Sequence, residues 1–135
     1  ALHVISHTIK IAPDNETVWA RHGQVLRRLE RYEEAIESYA RATHLLSNYA
    51  WAWNGKGLSH AALGQWQQAL YCYLQAVEND DTDVWFWHNA GEAHMNLGEY
   101  DKAIEMFNKA LSIDDSHQPS IDKLQQTKEM SNWDE

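Results

Sequence analysis

Apolar and polar positions follow a helical rhythm along nearly the whole chain. Trp87, Ala90, Gly91, His94 and Leu97 fall at i, i+3, i+4, i+7 and i+10, a single stripe along one side of a helix. Gly98-Glu99 breaks the rhythm. A second stripe then runs through Tyr100, Ala103, Ile104, Phe107, Ala110 and Leu111 and stops at the polar run from Ser112 to Ser116. This spacing predicts two antiparallel helices joined by a tight turn.

The pair recurs. Trp19, Trp53 and Trp87 are 34 residues apart, and the same shift superposes Gly23, Gly57 and Gly91, then Tyr39, Tyr73 and Phe107, then Ala42, Ala76 and Ala110. Three full units follow at 16–49, 50–83 and 84–117, so the expected fold is all-α, a solenoid of antiparallel helix pairs. Shifting backwards places residues 1–15, with Leu2, Ile5 and Ile9, on second-helix columns, as the latter half of a truncated preceding repeat. Residues 118–135 place Ile121 and Leu124 on first-helix columns among polar neighbours, as in a capping helix. The glycine column has a packing reason: glycine inside a helix costs about 1 kcal/mol relative to alanine, so its repetition implies close backbone approach. Gly57→Leu is therefore expected to destabilise the fold.

These columns resemble the tetratricopeptide repeat family, whose signature places Trp, a small residue, aromatics and Ala at this period. The resemblance covers residues 16–117 and implies a right-handed superhelix whose first helices line a concave face. Two departures stand out. Glu30 replaces the turn glycine found at Gly64 and Gly98, and Ser47, Asp81 and Asp115 stand where the family often has proline.

Composition narrows the function. Hydrophobic types make up 44% and charged types 23%, ordinary for a soluble globular domain. No stretch approaches the roughly 18 consecutive apolar residues of a membrane span, and the first residues lack the order of a signal peptide; the expectation is a soluble, cytoplasmic protein without membrane contact. The net charge of −9 argues against general nucleic-acid binding. It is also uneven, since residues 1–49 carry six basic and six acidic side chains and residues 50–135 carry five and fourteen. Cys72 is the only cysteine and is expected to be a quietly packed thiol. His60 and His94 lie one repeat apart, about 10 Å for stacked helices, too far to share a metal. With no Gly-rich phosphate loop, nucleophile elbow or His-Glu-x-x-His, neither enzymatic activity nor a cofactor is expected.

The resemblance directs attention to first-helix residues not consumed by packing. Trp51 and Trp85 stand two residues from the packing tryptophans Trp53 and Trp87, so they point elsewhere on the helix and offer an apolar grip for a protein or peptide partner. Asn54 and His88 share one row, Arg21, Gly55 and Asn89 another, Gln24, Leu58 and Glu92 a third, and Arg28 a fourth. Arg21 and Arg28 with Gln24 form a positive wall, whereas Glu92 lies in the third unit, a polarity that could orient an extended peptide. The columns that form a carboxylate clamp in one subfamily read Ala20, Gln24, Gly55, Trp85 and Asn89, of which only Asn89 is suited to that chemistry. The expected role is thus a protein-interaction module within a larger scaffold. A second expectation is homo-oligomeric assembly through the ragged N-terminal half-repeat.

Overall fold

The computed structural model describes the backbone of residues 2–133, without the side chains of Leu2 and Trp133. Any contribution of Ala1 or the Leu2 side chain to the N-terminal edge, and the last two residues of the capping segment 118–135, lie outside the described residues. Eight helices and no strand occur among the described residues: α1 (Leu2–Ile11), α2 (Glu16–Arg28), α3 (Tyr32–Leu45), α4 (Ala50–Ala62), α5 (Trp66–Asn79), α6 (Val84–Asn96), α7 (Tyr100–Ile113) and α8 (Gln118–Trp133). The helix pairs α2/α3, α4/α5 and α6/α7 fall in the three 34-residue units.

Each pair closes on its small residues. A Cβ built on Gly23 would meet the Tyr39 ring at 2.9 Å, one on Gly57 the Tyr73 ring at 2.5 Å, and one on Gly91 the Phe107 ring at 2.7 Å. The aromatic on the second helix therefore lies flat against the first helix's backbone, and any side chain in the glycine column drives the two apart. Ala35, Ala69 and Ala103 are fully buried in the matching positions of the second helices.

The turn inside each pair is a left-handed cap. The backbone N–H groups of Arg31, Gln65 and Glu99 reach back five residues to the carbonyls of Leu26, His60 and His94, a closure that requires the preceding residue at positive φ. Gly64 and Gly98 adopt it at φ 74° and 78°; Glu30 is forced into it at φ 62°. In the second and third units the turn is also tied by a side chain, His60 to Gln65 at 2.7 Å and His94 to Glu99 at 3.1 Å.

Between units, the packing tryptophans do a repeated job. Trp19 Nε1 donates to the carbonyl of Pro13 at 2.7 Å, Trp53 Nε1 to Ser47 at 2.9 Å and Trp87 Nε1 to Asp81 at 2.9 Å. This explains why the proline column tolerates Ser and Asp: the contact it supplies is a backbone carbonyl, which every residue carries.

Curvature follows from which helices meet. First helices touch in succession, α2 with α4, α4 with α6 and α6 with α8, whereas successive second helices make no such contact among the described residues. The stack therefore bends toward its first helices, which form the inner wall, and opens along the outer edge.

Candidate partner-binding wall

Trp51 and Trp85 both emerge on the inner wall, 38% and 50% exposed, although Trp53 and Trp87 two residues later are drawn into packing. They lean in opposite directions. The Trp51 ring stands edge-on to Tyr39 of the preceding unit at 6.3 Å and tilts over Tyr49 at 6.1 Å. With Thr17, Arg21, Gln24 and Tyr49 it encloses a small pocket of about 200 Å³ between the first and second units. Trp85 faces the other way, meeting His117 at 4.6 Å and His88 at 5.5 Å, both edge-on.

The remaining expected residues divide by environment. Arg21 and Arg28 are exposed and make no ion pair among the described residues; Arg31, not on the wall, takes Glu34. Gln24 and Glu92 are half-buried at the wall. Asn89 Nδ2 donates to Asn54 Oδ1 at 2.9 Å, joining the second and third units in the space between the two tryptophans.

Two residues expected on the open rows are consumed by packing. Gly55 is buried, and a Cβ there would collide with the Tyr39 ring, so this position is a platform beneath Trp51 rather than a contact surface. His88 is only 5% exposed because the cap helix closes over it. Its Nδ1 lies 3.0 Å from Ser120 Oγ, and His117 Nδ1 lies 2.8 Å from the same oxygen. A hydroxyl carries one proton, so Ser120 donates to one ring and accepts from the other, and the two imidazoles must be opposite tautomers. Glu92 Oε2, 4.0 Å from His88 Nε2, favours the proton on that nitrogen. His117 then donates through Nδ1, leaving its buried Nε2, which has no partner, as a bare acceptor. Burial, with His117 and Lys123 nearby, pulls the His88 pKa down to about 4, so the His88 ring is neutral at ordinary pH.

Sequence reasoning missed Tyr39, Tyr49, His117 and Ser120 as supports of the wall. The first two carry only packing signals, and the last two lie about one repeat beyond the tryptophan they serve.

A cleft of about 750 Å³ lined by Ser6, Trp19, His22, Ser38, Glu37 and Arg41 lies on the opposite, outer face. A smaller version of about 400 Å³, including Lys56, His60, Tyr71 and Cys72, recurs one repeat later. Clefts that recur with the period are where diverging second helices leave space, a product of curvature. Cys72 is buried there and its pKa is pushed up to about 11 by burial, which keeps the thiol protonated and unreactive. No group of three or more potential metal ligands occurs among the described residues, and no described helix is long and apolar enough to cross a membrane.

Comparison with known proteins agrees on the architecture. The TPR repeat model matches residues 23–64 and 57–98, and the tetratricopeptide repeat model matches 84–117. Among solved structures, MamA superposes with a TM-score of 0.92 at 21% identity, covering 97% of this chain and 77% of that one. The first TPR of Spaghetti (RPAP3), bound to the HSP90 peptide SRMEEVD, gives 0.84 at 14% identity, covering 87% and 93%. The Sgt2 TPR domain from Aspergillus fumigatus gives 0.82 at 18%, covering 87% and 79%. No curated protein matches the sequence.

Proposed function

The chain belongs to the tetratricopeptide repeat family, and from that premise we propose that it binds an extended segment of a partner protein along its inner wall. The observation that carries this reading is the pair of half-exposed tryptophans, Trp51 and Trp85, on a wall where their packing counterparts are already satisfied. Leaving two indoles in water costs hydrophobic free energy that a partner would recover, and tryptophan is enriched where binding energy concentrates. The first TPR of Spaghetti (RPAP3), which shares this fold, is bound to the HSP90 peptide SRMEEVD, and that lends support to a peptide ligand here. A larger cytoplasmic scaffold is the setting that suits such a module.

The test is affinity capture from native extract with wild type and with Trp51→Ala/Trp85→Ala. The double variant stays folded at the assay temperature by circular dichroism and loses partners captured by wild type. Equal recovery by both proteins would remove the two tryptophans from the site.

Self-association through the N-terminal edge is a second reading, favoured by Val4 and Ile11 of α1, which are 66% and 72% exposed. It requires mass to rise with concentration in light scattering; a constant monomer mass rules against it.

A further inference from the structure

Resting on the proposed peptide wall, we infer that its ligand is an extended segment with two large apolar side chains four residues apart, flanked by a carboxylate on the side held at Trp51.

The spacing comes from the two indoles. They occupy equivalent positions in adjacent units, whose first helices stack about 10 Å apart, but Trp51 leans back toward the first unit and Trp85 forward toward the cap. Their outer faces are therefore separated by more than one interhelical distance. An extended chain advances about 3.3 Å per residue and turns alternate side chains to opposite faces. Anchors at i and i+2 span only about 7 Å, and odd separations send one anchor away from the wall. Positions i and i+4, spanning about 13 Å, meet both conditions.

A helical ligand would reach a similar span with anchors seven residues apart, and the floor between the tryptophans decides against it. The Asn54–Asn89 hydrogen bond uses one donor and one acceptor of the two amides. Whichever way the amides are oriented, one NH2 and one carbonyl oxygen remain for a ligand. Both asparagines are half-buried, so these groups sit at the floor. A donor beside an acceptor complements the C=O and N–H of an extended backbone, whereas the middle of a helix has both already bonded.

Charge sets the end. Arg21 lines the Trp51 pocket and, with Arg28, lacks an acidic partner among the described residues. At the Trp85 end the half-buried acids Glu92 and Asp83 stand against Lys123. A carboxylate beside the first anchor is therefore favoured, and repelled if the segment is shifted to the other end.

The test is selection of random twelve-residue peptides on the immobilised protein, followed by fluorescence polarisation with labelled copies of the selected sequences. Selected peptides should carry apolar residues at i and i+4 with an acidic neighbour. Adding or deleting one residue between the anchors lowers affinity tenfold or more, Trp51→Ala or Trp85→Ala about thirtyfold, and Asn54→Ala/Asn89→Ala about tenfold. Arg21→Glu lowers affinity for acidic-flanked peptides and not for versions with that acid replaced by glutamine. Unchanged helical circular dichroism of the variants at the assay temperature ties these losses to the wall. Peptides indifferent to anchor spacing, or with anchors seven apart, overturn this inference while leaving the wall as the site if either tryptophan variant weakens them. Peptides that bind both tryptophan variants as tightly as wild type, or no binder to wild type, overturn the wall reading as well.

Discussion

Trp51 and Trp85 share one column of the repeat yet rest on different materials. Beneath Trp51 lie Gly55 and the Tyr39 ring, a support made of backbone and aromatic carbon. Beside Trp85 lie two histidines bridged by Ser120, a support of hydrogen bonds closed by the cap helix. The first is built without an imidazole; the second includes His88, whose pKa burial lowers to about 4. A repeat ladder thus reproduces where a side chain starts, while the neighbouring units choose what it leans on.

Exchanging residues between the two ends is the most forceful way to break this comparison. Gly55 and Asn89 occupy one column, but only the latter has room for a Cβ. Gly55→Asn should cost about 3 kcal/mol or more through overpacking and a buried amide against Tyr39, whereas Asn89→Gly should cost about 1 kcal/mol. Urea unfolding of both variants decides it; equal losses would mean that the two positions are equivalent after all. Gly57→Leu, in the column pressed on Tyr73, belongs with the larger loss.

Acid sharpens the contrast next. The folded pKa of His88, about 4, lies below its ordinary value of 6.5, so protons favour the unfolded chain. The contribution is complete above pH 6.5 and is lost as pH falls from there through about 4. It amounts to about 2 kcal/mol once solvent screening is allowed for. His88→Asn, which installs the second unit's residue, should flatten that part of the pH profile in thermal melts. A profile unchanged by the substitution would place the acid sensitivity elsewhere.

The smallest effect concerns the turns at the two ends. Glu30 holds a left-handed conformation that Gly64 and Gly98 adopt freely, and a side chain there costs about 1 kcal/mol. Glu30→Gly should therefore raise stability by roughly that amount, read as a shift in the urea midpoint. Gly98→Glu should lower it similarly, and opposite signs would show that the turn column is not governed by backbone conformation.

Much of this protein was legible from its residues in order. The 34-residue period, the paired helices and the small-residue column follow from local spacing, because a stripe at helical intervals must bury itself and a glycine recurring inside helices must admit something large. The exposure of Trp51 and Trp85 was legible for the same reason: Trp53 and Trp87 had taken the packing direction. What each wall residue rests on was not. Asn54 meets Asn89 across 35 residues and His88 meets Ser120 across 32, so their roles depend on side chains one unit away. Phase along a helix determines the direction in which a side chain leaves the backbone; only the tertiary stack determines whether Tyr39, Ser120 or solvent waits there.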